Sequence, residues 1–427
     1  MAIDAKLLQR IRREFPAAVR DPSGRRRAFL DNGAGTLVAR RAAEREAEAR
    51  IAWSANVGNV FPESRGAEAR ILEGRQAVAD LLDAEGPGAI ISGESATALV
   101  FSLSYALGRE LSGRENVVAM GYEHFANVSP WEELARTGRA KEVRFAPFDL
   151  ETGLLDMDRL QELVDRDTKV VAAMAASNVL GTRSDLREIA RIAHDAGALL
   201  VVDAVHHIAH GPTDVRAVGC DALVFSGYKL FSRHGSFLYL RPDLIERLRP
   251  YKVEPSPEHG PGKWEWGTRD QAMFAAITGS IDYLAWLGSP SARTPAKAGR
   301  ERAARVRKAL EAIEAYEKGL TRLVLEGDGR APGLLDIPGL TLFGPKEIPA
   351  GGRDPTFSFT LAGREDRDVS QRLWDRHALA VGAEDYYSRV LRVYGLETMV
   401  RATFVHYNTP GDARTLLQGL TDIAKRA

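Results

Sequence analysis

Asp203 closes the apolar run Leu199–Val202, and Lys229 follows the apolar run Ala222–Phe225 with Ser226, Gly227 and Tyr228 between. Parallel sheets bury such runs and present ligands at the strands' carboxyl ends, so both side chains are expected to converge on one crevice. An acid and an amine placed this way meet the needs of a pyridine cofactor. The carboxylate keeps the ring nitrogen protonated and electron-withdrawing, and the amine forms a Schiff base with an aldehyde. A strand-end aspartate and a solvated lysine with no common task are the alternative, and the surrounding segments decide between the two.

The pairing of Ser226-Gly227-Tyr228-Lys229 with Val201-Val202-Asp203-Ala204-Val205-His206 resembles the lysine and aspartate signatures of class V (fold type I) pyridoxal-phosphate enzymes, the aminotransferase and cysteine desulfurase group. Further segments match the same pattern in order, from about residue 29 to the end. Phe29–Thr36 is similar to the family's Leu-Asp-Asn-Ala motif, whose backbone lies by the substrate carboxylate, with Gly33 where alanine is usual. Ile91–Leu103 stands where the family places a small-residue turn before a helix. The resemblance implies a phosphate cup at Ser95, Ala96 and Thr97, since such a turn offers free backbone N–H groups. A simple helix N-cap is the alternative there, and without the usual Gly-Thr-Thr the register stays open. Ser226 is expected to add a hydroxyl to the same phosphate.

Glu123–Trp131 closely resembles the family's Glu-His-His-Ala-Asn-Ile-x-Pro-Trp segment, which implies that His124 stacks on the pyridine ring and handles protons. Ser177–Gly181 matches the segment whose asparagine reaches the cofactor's phenolic oxygen or the bound amino acid, a role that falls to Asn178. His206 occupies the position where many relatives have a glutamine touching that oxygen. Tyr228 replaces a frequent histidine beside the cofactor. Trp266-Gly267-Thr268 resembles a loop whose threonine binds the partner subunit's phosphate across a two-fold axis, which implies a homodimer with shared active sites through Thr268. Val400–Thr409 is similar to the family's closing Arg-x-Ser-x-x-x-Tyr-Asn-Thr motif. Arg401 is thereby expected to bind the substrate carboxylate with its planar fork, a structural salt bridge being the alternative, and Tyr387 is expected beside the substrate with Gly33 and Asn178. Catalysis is assigned to Lys229, His124 and Asp203.

Other features are weighed on their own residues. His206, His207 and His210 suggest a metal, but no cysteine or acidic cluster in the sequence completes a ligand set, so no metal is expected. Arg233 and His234 stand in a turn that replaces the family's Gly-Pro-rich one; they face an anionic or bulky substrate or are solvated loop residues. Gly33-Ala34-Gly35 lacks the third glycine of a dinucleotide-binding loop. A non-catalytic interaction protein of the same fold would be free to lose the lysine, and Lys229 is present.

In the family's chemistry the released lysine acts as general base at the α-carbon, with its pKa lowered by desolvation and nearby cations. Cysteine desulfurases of this class also need a thiol on a mobile loop of the small domain. The only cysteine here, Cys220, precedes Asp221 and the strand leading to Lys229, which disfavours the persulfide route. The expected reaction is β-elimination from an S-substituted cysteine or a related amino acid, with transamination and epimerisation as alternatives.

The elements that must position these groups follow from the apolar pattern. Between about residues 67 and 240 helices alternate with short strands, the mark of an α/β domain with a mainly parallel sheet. Strands are expected at Val117–Met120, Val170–Met174, Leu199–Val202, Ala222–Phe225 and Ser236–Tyr239, with one helix capped by Ser184 and stopped at Gly197. A helix over about 300–326 opens a smaller α+β C-terminal domain. The expected division is 18–292 for the cofactor-binding domain and 1–17 with 293–427 for the small one. At 427 residues, 58 basic and 58 acidic, the chain carries no formal net charge. This speaks against nucleic acid or an anionic membrane as partner and for a small-molecule substrate. The charged N-terminal stretch and the lack of a long apolar run point to a cytoplasmic protein.

Overall fold

The computed structural model describes residues 2–292 and 294–425. Seven strands form the central sheet: β1 (Ile90–Gly93), β2 (Asn116–Met120), β3 (Glu142–Ala146), β4 (Thr168–Met174), β5 (Leu199–Asp203), β6 (Ala222–Ser226) and β7 (Ser236–Leu240), in the order β1-β7-β6-β5-β4-β2-β3. From β6 to β3 all pairs are parallel, and β7 runs antiparallel between β6 and β1. The mainly parallel sheet read from the sequence is present, and every expected strand lies within an observed one. β1 and β3 were not among them. β3 carries Glu142 and Arg144 and is only half-buried over most of its length, so it lacks the continuous apolar run that marks its neighbours.

β5 and β6 pair with Asp203 opposite Val224. Their carboxyl ends therefore deliver Asp203 and the Ser226–Lys229 turn side by side, as a parallel sheet does at a strand end. The helix after β4 spans Leu186–Asp195, and its N-cap is Asp185, whose carboxylate accepts from Glu188 N–H at 3.2 Å. Ser184 is not the cap. Its hydroxyl donates to the Met174 carbonyl at 2.6 Å and its N–H to Ala175, closing the loop after β4, so the cap passes to the next residue. Gly197, at φ +76°, ends the segment.

The second sheet is antiparallel: β8 (Leu340–Phe343), β9 (Thr356–Leu361), β10 (Gly382–Glu384) and β11 (Met399–Thr403), in the order β8-β9-β11-β10. The helix Arg300–Glu326 enters this part, and Pro410–Ala424, held by a Thr409/Asp412 capping box, leaves it. Phe357, Phe359, Val400, Leu373 and Leu420 build its core. The N-terminal helix Ala5–Glu14 buttresses both parts: Leu7 and Ile11 pack into the larger core, Arg10 donates to Pro290 O, and Arg12 donates to Tyr407 O. We propose the division at 18 and 292 as domain boundaries; Met1, Arg293, Arg426 and Ala427 lie outside the described residues. Among the described residues, no helix is long and apolar enough to cross a membrane.

Candidate active site

A cavity of about 260 Å3 opens at the carboxyl ends of β4, β5 and β6, facing the second sheet. It brings together Gly33, Ser95, Ala96, Thr97, His124 and Asn178 with Asp203, His206, Ser226, Tyr228, Lys229, Tyr387 and Arg401. All the residues expected at the site are thus in one place except Thr268.

Lys229 sits on a short 3-10 turn, Gly227–Lys229, and is buried. Its Nζ donates to the carbonyl of Gly33. Burial, then the Arg401 charge, brings its pKa down to about 7, so the amine is available as a neutral nucleophile or base near neutrality. Asp203 accepts from Val205 N–H at 2.8 Å, and burial pushes its carboxyl up to about 6. The carboxylate lacks a full complement of donors and is suited to take a protonated ring nitrogen.

His124 is held by its own turn. Nδ1 accepts from Ala126 N–H at 3.0 Å, so the neutral ring carries its proton on Nε2. Burial, then Lys229 and Arg401, hold its pKa down to about 4, which keeps it neutral. Glu123 behind it is fully buried and accepts from Asn127 Nδ2 at 3.0 Å and Met174 N–H at 2.5 Å; burial keeps that carboxyl well above its ordinary value.

At the other end, Ser95 is an N-cap as well as a crevice residue. Its Oγ accepts from Ala98 N–H at 3.1 Å at the head of the helix Ala96–Gly108. The first-turn N–H groups of Ala96 and Thr97 have no acceptor within the helix, and with the Ser226 hydroxyl they form an anion-binding end. A buried ion pair anchors this end: Arg75 meets Glu265 at 2.5 Å, and Glu265 accepts from both the N–H and the hydroxyl of Ser92 on β1. Glu265 immediately precedes Trp266-Gly267-Thr268, so the exposed Thr268 loop is tied to the strand that leads into Ser95.

Arg401 is fully buried, donates from Nη1 to Asn178 O at 3.0 Å, and lies 3.8 Å over the Tyr386 ring. Its Nη2 is 3.7 Å from Asp31. Tyr386 and Tyr387 are consecutive left-handed residues, φ +55° and +49°, an uncommon backbone state for aromatic side chains. The turn is pinned by Asn178 Nδ2 donating to Tyr386 O at 3.2 Å and Phe125 N–H donating to Tyr387 O at 2.8 Å. Tyr387 thus stands over His124, ring centroids 6.2 Å apart.

Several residues have other tasks. Arg233 is paired with Asp270 at 2.5 Å and His234 stacks on Tyr228, centroids 4.6 Å apart; the first is a structural ion pair and the second supports the crevice wall from behind. Cys220 is buried away from the crevice, with its thiol pushed up by burial. His206 bonds to the Thr356 hydroxyl at 2.9 Å, and burial keeps its ring neutral. The fold also brings Asp354 near His206 and His210, an acid not evident beside them in the sequence. Its carboxylate is already held by Arg183 Nε at 2.7 Å and His207 Nδ1 at 3.0 Å, while His210 is held by Glu317 at 2.8 Å. Most of these groups are committed to one another, although Glu317 Oε1 is buried without a hydrogen-bond partner. Asp31, Ala34, Glu384 and Tyr386 line or border the crevice without having been expected there. Each arrives on a loop or edge strand whose placement no local pattern signals.

The residues fit a pyridoxal phosphate. Asn178 Oδ1 and Arg401 Nε are buried without hydrogen-bond partners, and an unmet polar atom of this kind marks a place for a ligand. A carboxylate, a near-neutral amine, a neutral imidazole and an anion-binding helix end surround the same cavity.

The model of the family described as aminotransferase class V matches residues 28–416. A cysteine desulfurase of Cronobacter sakazakii is 29% identical over 433 residues, covering 97% of this chain and 98% of its own. A probable cysteine desulfurase of Streptomyces coelicolor is also 29% identical over 433 residues, covering 97% and 96%. Among solved structures, the apo cysteine desulfurase of Thermococcus onnurineus superposes with a TM-score of 0.84 at 23% identity over the whole of both chains. The cysteine desulfurase CsdA of Escherichia coli does so at 0.81 and 24%, covering 98% of each. These likenesses establish the fold type I architecture.

Proposed function

The chain belongs to the class V aminotransferase family of pyridoxal-phosphate-dependent enzymes, and on that premise we propose that it is a carbon–sulfur β-lyase acting on an S-substituted cysteine or a related amino acid. Family members act on small amino acids. The observation that carries the choice of reaction is the thiol: the single cysteine, Cys220, is buried with its Sγ bonded to Val215 O, and the crevice contains no sulfur nucleophile. A persulfide has no acceptor here. Elimination needs none.

In this reading Asp203 holds the ring nitrogen, His124 covers the ring, and Asn178 and His206 face the phenolic oxygen. Ser95, Ala96, Thr97 and Ser226 hold the phosphate, with Tyr228 beside it. Bound there, the cofactor supplies an electron sink for charge developing at the substrate α-carbon. Arg401 takes the substrate carboxylate, beside Gly33 and Tyr387. Lys229 Nζ, about half uncharged at pH 7, accepts the α-proton, and the Nε2 proton of His124 is assigned to the departing sulfur. Thr268, exposed and outside its own crevice, is offered to the phosphate of a second subunit. Exposed Ile51, Val57, Val60 and Phe61, with Tyr251 and Trp266, give that homodimer an apolar surface to bury. A cytoplasmic location belongs to the same reading.

The test is to mix cofactor-loaded protein with S-substituted cysteines in the absence of any keto acid and follow pyruvate and free thiol. Continuous release of both is expected. A stop after one equivalent, relieved by adding a keto acid, would make the protein an aminotransferase. Sedimentation would separately show dimer or monomer.

A further inference from the structure

Resting on the reading of Arg401 as the carboxylate-binding residue, we propose that Glu384 selects substrates whose side chain ends in a cationic group. Gly382 on β10 lies opposite Arg401 on β11, and Glu384 opposite Met399. Directly opposed residues of an antiparallel pair share a face, and residues two apart on a strand do too. Glu384 therefore stands on the same face as Arg401, one step further along, and its side chain lines the cavity. The pinned Tyr386–Tyr387 turn that follows holds β10 in place.

The charges around the substrate explain the choice. Asp203 is committed to the cofactor, His124 is neutral, and Lys229 is the uncharged amine until it takes the α-proton. What remains is one cation, Arg401, against two carboxylates, Asp31 and Glu384. Asp31 is 3.7 Å from Arg401 and its buried Oδ1 has no hydrogen-bond partner. Glu384 is exposed to the crevice and, among the described residues, makes no ion pair. Asp385, next in the chain, accepts from Tyr387 N–H at 3.1 Å. The substrate's own α-carboxylate makes the excess of negative charge larger. An ammonium or guanidinium at the far end of the side chain offsets it, whereas a second carboxylate adds to it.

The experiment compares binding of three probes to the holoenzyme: S-(2-aminoethyl)-L-cysteine, S-propyl-L-cysteine and S-(carboxymethyl)-L-cysteine. Each is titrated against the cofactor's absorbance, with pyruvate measured separately. A partly solvated charge pair predicts about a fivefold preference for the aminoethyl over the propyl compound. In Glu384→Gln that ratio should collapse towards one. In Glu384→Lys the order should reverse in favour of the carboxymethyl compound, a gain that misfolding cannot mimic. Equal binding of all three by the parent protein, failure to bind the aminoethyl probe, or an unchanged ratio in both variants overturns the inference. Preference without pyruvate removes the elimination reading and leaves this one standing; pyruvate without preference does the reverse.

Discussion

The guanidinium of Arg401 occupies the space that a β-carbon on Gly33 would need. Such an atom would stand 2.8 Å from Arg401 Cζ and 2.6 Å from Thr403 Oγ1. Glycine at this position, where the family usually has alanine, is thus coupled to where this arginine lies. Gly33→Ala should push Arg401 off its bond to Asn178 O and weaken binding of the amino-acid substrate about tenfold. Cofactor absorbance should stay unchanged, because Asp203 and the phosphate end are untouched. Substrate titration of the variant checks this.

Lys229 predicts a pH dependence of cofactor uptake. With its amine at about 7 through burial and the Arg401 charge, the neutral fraction rises from roughly a tenth at pH 6 to nine-tenths at pH 8. The rate at which cofactor-free protein captures pyridoxal phosphate should rise through that interval and level off above it. Arg401→Gln removes a repelling cation, so the midpoint should move to higher pH. Stopped-flow absorbance reads both.

The Arg75–Glu265 pair predicts a stability effect. Both side chains are buried, and deleting one partner leaves the other charge desolvated. Arg75→Met should cost about 3–5 kcal/mol, seen as a lower urea midpoint. It should also loosen cofactor binding, since Glu265 fixes Ser92 ahead of the phosphate turn. Arg75→Met/Glu265→Leu should recover much of the stability.

How much of this was legible beforehand differs by residue. Asp203, Lys229 and the strands that carry them were readable because a buried parallel strand is a run of apolar residues and its end is fixed by that run. Arg401 and His124 were readable only through motif likeness. Asp31 and Glu384 were not, since an acid on a loop looks the same whether it meets solvent or a cavity. The Ser184 cap was missed by one residue because two adjacent oxygen-bearing side chains compete for that role, and a tertiary bond to Met174 O decides it. Asp354 and Glu317 reach the histidines from more than a hundred residues away, beyond any local pattern.

That histidine network gives the last prediction. Burial pushes the Glu317 carboxyl up to about 7. Burial opposes the charged form of His210, but Glu317 beside it wins and its pKa is raised. Between them the pair holds a proton in the folded state at pH values where the unfolded chain has released it. Their contribution to stability is therefore full at low pH and is lost as pH rises through about 7, a change of ~2 kcal/mol. Urea midpoints at pH 5 and pH 8 should fall less in Glu317→Gln than in the parent protein.

Residues 28–39 form a thread between the two parts of the molecule. Ala28–Phe29 pairs with Leu379–Ala380, the Asn32 amide donates to Thr403 O across 371 positions, and Thr36 donates to Tyr228 O across 192. Synthesis makes this thread long before Leu379, Ala380 and Thr403. Contacts so distant in the chain close late and slowly, so the lysine turn can settle on Thr36 at once, whereas the seat of the thread on the second sheet waits for Leu379–Ala380 and Thr403. The crevice closes only once Glu384, Tyr387 and Arg401 have been made, and a chain terminated before them would have the lysine without the pocket around it.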